Sequence, residues 1–319
     1  MSLSPDKPLL DVRGMTIGFG GKEVVHGVDF QIRAGEKLAL VGESGSGKTV
    51  TALSLVRLAL NANLSGSAVF QGTEGETDLL SAPEKRLRGI RGRDISMIFQ
   101  EPMTALNPLY SIGDQIVEVL QLKEGIDRRQ AWDMAVKALA ETGIPEPARR
   151  VHAYPHQLSG GQRQRAMIAM ALACNPRLLL ADEPTTALDV TLRAQILDLL
   201  GELHAKNGMA VLLITHDLNM VRHFASRVAV MEHGHLVEEG SVQSMFSRPQ
   251  HPYTQKLIES RPVRDVIEAP ADSVPVIEGK GLRVIYPTRL AGFKGWFRRG
   301  EFVAVKGADL SIQPGRTLG

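Results

Sequence analysis

Residues Gly42 to Thr49 read GESGSGKT and fit the pattern G-x-x-x-x-G-K-[ST], set between a β-type run, Lys37 to Val41, and a stretch suited to a helix. In that setting Gly42, Gly45 and Gly47 let backbone N–H groups converge on phosphate oxygens, with Glu43, Ser44 and Ser46 completing the loop. The helix N-terminus adds partial positive charge, Lys48 neutralises the β- and γ-phosphates, and Thr49 offers a hydroxyl to Mg²⁺. A second group stands at Asp182 and Glu183, directly after the apolar run Leu178 to Ala181. Adjacent carboxylates repel each other unless a cation or a reaction requires them. Asp182 suits the outer coordination of Mg²⁺, and Glu183 suits polarising an attacking water. A third, LSGGQ at Leu158 to Gln162, precedes the alanine-rich run RQRAMIAMALA. Ser159 can cap that helix, while Gly160 and Gly161 leave backbone donors bare for an anion.

These groups need rigid elements to hold them. Leu178 to Asp182 and Ala210 to Thr215 are continuously apolar and end in polar residues, as central parallel strands covered on both faces do. Such strands present sites at their C-terminal ends. Between them, Ile196, Leu199, Leu200 and Leu203 place one apolar stripe on a helix, which makes a strand-helix-strand crossover. Shorter β-type runs, Leu9 to Val12, Met15 to Phe19, Val28 to Ile32 and Lys37 to Val41, alternate with glycine-bearing turns. Trp132, Ala135, Val136 and Leu139 repeat at helical spacing in a region, about Met103 to Gln157, that lacks strand signals and reads as a helical insertion.

The chain has 319 residues, 43% of them hydrophobic, ample for a buried core. Its 37 basic and 35 acidic residues leave a net charge of +2, so no excess of positive charge points to nucleic acid. Cys174 is the single cysteine, which excludes an internal disulfide and a thiolate cluster and fits a reducing cytosol. Prolines and an early Asp between Met1 and Asp11 interrupt what an export signal would need to be apolar. The longest apolar runs fall far short of the roughly 20 residues of a membrane-spanning helix, so a membrane role is expected to pass through a partner.

From Arg261 to Pro275 the sequence is proline-rich and weakly patterned, which marks a boundary: a first domain over 1–262 and a linker over 263–275. Beyond the linker the chain repeats its own beginning. Gly307, Asp309, Ile312, Gly315 and Leu318 match Gly27, Asp29, Ile32, Gly35 and Leu38 at a constant offset of 280. Residues 276–319 therefore read as the opening strands of a second, incomplete copy, cut before its own phosphate loop.

Gly42 to Thr49, Gln100, Leu158 to Gln162, Asp182-Glu183, Ala187-Leu188-Asp189 and His216 occur in an order that resembles the ATP-binding cassette superfamily, over residues 9 to about 260. The resemblance implies an α/β P-loop NTPase with a mixed central sheet, an N-terminal antiparallel β subdomain and a helical insertion. It implies ATP and Mg²⁺ as ligands and a second cassette as partner, in the same longer chain or as a homodimer. Each nucleotide would lie between one cassette's phosphate loop and the other's LSGGQ. By the same resemblance His216 contacts the γ-phosphate, Gln100 touches Mg²⁺ or water and reports to a membrane subunit, Asp189 couples the two sites, and Phe19 stacks on adenine in place of the usual tyrosine.

Gln100 to Ile116 and His251-Pro252-Tyr253-Thr254 are similar to segments of dipeptide and oligopeptide importers. That similarity implies permease subunits, an extracytoplasmic solute-binding protein acting indirectly, and a peripheral place on the cytoplasmic face of the inner membrane. Peptide cargo does not follow physically, because the cassette does not contact it. The competing expectation is a soluble tandem-cassette ATPase acting on ribosomes or DNA, which calls for a basic or coiled-coil arm before LSGGQ. Residues 84–93, EKRLRGIRGR, are basic but long enough only for a loop.

Overall fold

Five short parallel strands, buried on both faces, organise the first part of the molecule. The computed structural model describes residues 7–100, 105–186, 188–260, 273–289 and 299–315. Met103, Ala187, Leu318 and most of the Arg261 to Pro275 segment lie outside the described residues. The chain divides into two compact units, Met1–Ser260 and Arg261–Gly319.

In the first unit β1 (Leu10–Phe19) and β2 (Lys22–Ile32) form a hairpin, and β4 (Asn63–Gly72) and β5 (Gly75–Asp78) extend it to an antiparallel sheet of order β2-β1-β4-β5. The second sheet has the order β10-β9-β3-β8-β7-β6 and joins β3 (Lys37–Val41), β6 (Ile95–Ile98), β7 (Leu178–Asp182), β8 (Ala210–Thr215), β9 (Arg227–Glu232) and β10 (His235–Ser241). All its pairings are parallel except β9 with β10, so the sheet is mixed. The fold is that of a P-loop ATPase cassette, as the resemblance implies.

Period-two geometry sends alternate side chains of each parallel strand to opposite layers. Leu38, Leu40, Leu178, Leu180, Leu212 and Ile214 face the antiparallel sheet and the helix Lys48–Leu55 in one shared core. Leu179, Ala181, Val211 and Leu213 face the other way, against Met167 and Ile168 of the helix Gly160–Leu172 and Ile196, Leu199, Leu200 and Leu203 of the helix Val190–Asn207. The stripe read from the sequence is thus the buried face of that helix.

The insertion forms a core of its own. Ile112, Ile116 and Leu120 of the helix Ile112–Glu124 meet Ala131, Ala135 and Leu139 of the helix Arg128–Glu141, and both rest on Ala166 and Ala169. Trp132 and Val136 pack at its margin.

Several expectations shift. The runs Leu9 to Val12 and Met15 to Phe19 belong to one strand, which bulges at Gly14, where φ is +53° and the freed N–H donates to Asp29 Oδ1 at 2.8 Å. Val28 to Ile32 is the end of a longer strand. Part of the basic stretch is a short helix, Glu84–Ile90, and not a loop, because Leu87 and Ile90 reach the shared core.

In the second unit β11 (Ile277–Arg289) pairs antiparallel with β12 (Arg299–Ile312) as a two-stranded sheet.

Candidate nucleotide site

The strand order β6-β7-β8-β3 places four strand ends side by side, and each carries a singled-out group. Gln100 follows β6, Asp182 ends β7 with Glu183 after it, His216 follows β8, and Gly42 to Thr49 follow β3. Parallel pairing brings these ends to one edge of the sheet.

Close backbone approach explains the first glycine of the loop. Gly42 has φ +154°, and a Cβ there would sit 2.1 Å from the Met231 carbonyl oxygen of β9. The loop then turns into the helix Lys48–Leu55 through Gly47, whose φ of +104° is left-handed. Lys48 is buried, and its Nζ donates to the carbonyl oxygens of Gly42 at 2.8 Å and Glu43 at 2.7 Å and to Ser46 Oγ at 3.2 Å. Burial pushes its pKa below the usual lysine value against the opposing pull of Glu183 and Asp182.

Thr49 Oγ1 donates to Asp182 Oδ1 at 3.0 Å, tying loop to strand end. Asp182 is 2% exposed, and burial, with the Glu183 charge beside it, pushes its carboxyl up to about 6 despite that hydrogen bond. Glu183 has φ +43°, outside the strand conformation, and its N–H donates to the Ile214 carbonyl of β8 at 2.9 Å. Its carboxylate is the hub of the site. Oε2 accepts from Gln100 Nε2 at 3.1 Å and Thr186 Oγ1 at 2.7 Å, and Oε1 lies 3.0 Å from His216 Nδ1. Burial raises this carboxyl, but the bonds from Thr186 and His216 and the charges of His216 and Lys48 outweigh it and hold it below the usual glutamate value.

A cavity of about 500 Å³ opens here, lined by Gly42, Glu43, Ser44, Gln100, Glu183 and His216 among others. The structure therefore brings together the phosphate loop, Asp182, Glu183, Gln100 and His216. Phe19, at the end of β1, is half-buried against the shared core. Ser159, Gly160, Gly161 and Gln162 stand apart from this cavity. Ser159 Oγ accepts from Gln162 N–H at 3.3 Å and Gln162 Oε1 from Ser159 N–H at 3.1 Å, a reciprocal cap on the helix Gly160–Leu172. Asp189 caps the neighbouring helix Val190–Asn207 by accepting from Leu192 N–H at 2.9 Å, and Gly161 packs on the Leu192 side chain.

Sequence reading missed three members of the site. Thr186 follows Glu183 too closely to stand out by spacing. Tyr253 Oη accepts the Glu43 N–H at 2.9 Å, and Lys256 lines the cavity. Both sit on the helix Pro252–Glu259, more than two hundred residues beyond the loop. The only signal was the His251-Pro252-Tyr253-Thr254 cue.

A family model described as "ABC transporter" matches residues 25–186. The chain is also 52% identical over 264 residues to a putative peptide import ATP-binding protein of Brucella melitensis, covering 80% of this chain and 78% of that protein. The chain belongs to the ABC transporter family. ABC cassettes of this kind are ATPases that bind ATP with Mg²⁺, and this chain carries that nucleotide-binding domain. A second model, "Oligopeptide/dipeptide transporter, C-terminal region", matches residues 237–285. Peptidoglycan transport ATP-binding protein YejF of Agrobacterium fabrum is 48% identical over 322 residues, 98% of this chain but 58% of that protein, so the chain spans less than two thirds of that relative. Among solved structures, a dimeric ATP-binding cassette in a post-hydrolysis state with ADP and Pi superposes with a TM-score of 0.64 at 28% identity, covering 73% of this chain and 98% of that one.

Proposed function

We propose that this cassette binds MgATP at Gly42 to Thr49, pairs with a second cassette, and hydrolyses the nucleotide to drive import of peptides or peptide-like solutes through membrane permease subunits. The observation that carries the reading is the arrangement around Glu183: one carboxylate, bonded by Gln100, Thr186 and His216, at the rim of the cavity formed by the phosphate loop. A group held there can orient and polarise a water for attack on a γ-phosphate.

The oxygen donors present fit a hard cation. Thr49 Oγ1 and the buried Asp182 carboxylate already share a hydrogen bond, and Gln100 contributes an amide oxygen nearby. Mg²⁺ bound by these groups would neutralise phosphate charge. Lys48 and the loop N–H groups hold the β- and γ-phosphates, His216 takes the γ-phosphate, and Phe19 stacks on adenine. Ser159, Gly160, Gly161 and Gln162 act on the nucleotide of the partner cassette, because they stand apart from the cavity of their own. Asp189, at the start of the next helix, couples the two sites.

Peptide cargo is supported by the C-terminal region matched at residues 237–285 and by the names of the relatives. Among the described residues no helix is long and apolar enough to cross a membrane. In this reading the cassette works from the cytoplasmic face on permease subunits, with an extracytoplasmic solute-binding protein delivering cargo to them. Residues 276–319 open a second cassette after the linker 263–275.

Glu183→Gln in a paired two-cassette protein tests the central role. The amide fills the same volume but cannot act as the base, so MgATP binding is retained and single-turnover hydrolysis at that site falls by at least about a hundredfold. Undiminished single-turnover hydrolysis there removes Glu183 from the mechanism.

A further inference from the structure

The helix Pro252–Glu259 lies outside every nucleotide motif, yet one of its faces meets the phosphate loop. Tyr253, Lys256, Leu257 and Ser260 follow the i, i+3, i+4, i+7 spacing of a single helical face. Tyr253 accepts the Glu43 N–H, and the other three line the cavity beside Glu43 and Ser44. The helix is itself anchored. Glu238 of β10 accepts the N–H groups of Gln250 and His251 at 2.8 and 2.9 Å, and His251 Nδ1 accepts from Tyr253 N–H at 3.3 Å. The Tyr253 ring is buried with Val41, Val230 and Met245.

We infer that Tyr253 is a positioning residue for nucleotide binding: its hydroxyl fixes the first turn of the phosphate loop through the Glu43 N–H. Glu43 and Ser44 precede the helical bonds, which begin at Lys48; the Glu43 carbonyl is held by Lys48 Nζ, and its N–H is held by Tyr253. With its one N–H committed to a buried, helix-borne acceptor, Glu43 cannot swing the loop out of register. Without that acceptor the loop samples more conformations, and apparent affinity falls by the fraction of time spent in the binding-competent one. Because the bond holds the loop and not the attacking water, Tyr253 affects the affinity for ATP and ADP alike and leaves the chemical step alone. This ties a region characteristic of peptide importers to the nucleotide affinity of the cassette, and it rests on the reading that Gly42 to Thr49 binds ATP.

Tyr253→Phe removes only the acceptor and keeps the ring in its cluster. Met245→Ala loosens the same cluster without touching the loop and serves as the control. Equilibrium binding of MgATP and MgADP is measured for the whole chain well below melting, alongside the melting temperature without nucleotide and single-turnover rates in the paired protein. The expected result is a roughly fivefold weaker Kd for both nucleotides in Tyr253→Phe, the size of one lost neutral hydrogen bond. The saturating single-turnover rate stays unchanged, and Met245→Ala melts earlier with a wild-type Kd. Tyr253→Phe with wild-type Kd values overturns the inference, as does an equal loss of affinity in Met245→Ala, which would assign the effect to general loosening. If the wild-type chain binds no ATP, the underlying reading fails instead, and Lys48→Ala against wild type separates the two cases.

Discussion

The molecule contains two versions of one hairpin. In β1/β2, Leu10 pairs with Ile32, and the Gly14 N–H donates to Asp29 Oδ1; in β11/β12, Ile277 pairs with Ile312, and the Gly281 N–H donates to Asp309 Oδ1 at 2.6 Å. The local chemistry is the same down to the bond that closes the bulge. Burial is not: Leu10 is 0% exposed and Ile277 55%, and no described residue of β11 or β12 is buried. In the first unit β4, β5 and the helix Lys48–Leu55 close over the hairpin, whereas the described residues of the second unit hold no counterpart of them. Pairing and turn geometry are thus written locally, while stability comes from what later segments lay on top.

The largest effect expected to expose this difference comes from matched truncations. Leu10→Ala should cost about 3 kcal/mol, by lost burial and the cavity left behind, and Ile277→Ala under ~1 kcal/mol. Denaturant titration read by amide exchange in each hairpin checks both, and equal costs would break the comparison. Next in size is the response to nucleotide. ATP at about 100 times its Kd should stabilise the first unit by roughly 2.7 kcal/mol, and Lys48→Ala should abolish this. Amides of β11 and β12 should gain no protection, and protection there would show that the second hairpin is coupled to the site.

A third effect belongs to the first unit alone. Asp182 titrates near 6 in the fold against an ordinary 3.8, so its contribution to stability is complete below the ordinary value and is lost as pH rises through about 6. Asp182→Asn should therefore stabilise the nucleotide-free, EDTA-treated chain by about 2 kcal/mol at pH ~8 and by almost nothing at pH ~4. A gain independent of pH would contradict the burial argument. The smallest effect should be shared. Asp29→Ala and Asp309→Ala each remove an exposed bond to a glycine N–H, at about 0.5 to 1 kcal/mol apiece, and their similarity would isolate the local part of the hairpin code.

Legibility in the sequence divides along the same line. Strands β7 and β8 were legible to the residue, because strands covered on both faces are continuously apolar and end where polar residues begin. Asp182, Glu183 and His216 were legible as groups at strand ends, and the order of the strands then brought them together. Strand β4 was not legible, since Asn63 to Gly72 is half-exposed and interrupted by Gly66. Strands β9 and β10 went unseen too, although β9 supplies the Met231 carbonyl that demands Gly42. The bond from Glu43 to Tyr253 joins residues 210 apart in sequence, and no local pattern encodes such a meeting. Gly14 misled in the other direction, because a left-handed glycine reads as the end of a strand when it only bends one.

The position of β3 sets a timetable for synthesis. Its neighbours are β8 and β9, so Leu38 pairs with Leu212 on one side and Arg227 on the other. The strand that leads into the phosphate loop is made early, and both of its partners emerge late. At ~5 to 20 residues per second, roughly 190 residues of translation keep Leu38 and Leu40 without their sheet for about 10 to 40 s. The hairpin β1/β2 and the helical insertion can form on the ribosome in the meantime, from contacts that are close in sequence. The nascent chain thus carries a finished GESGSGKT segment before the Met231 carbonyl against which Gly42 packs has been made, and over this interval its apolar strands stay uncovered.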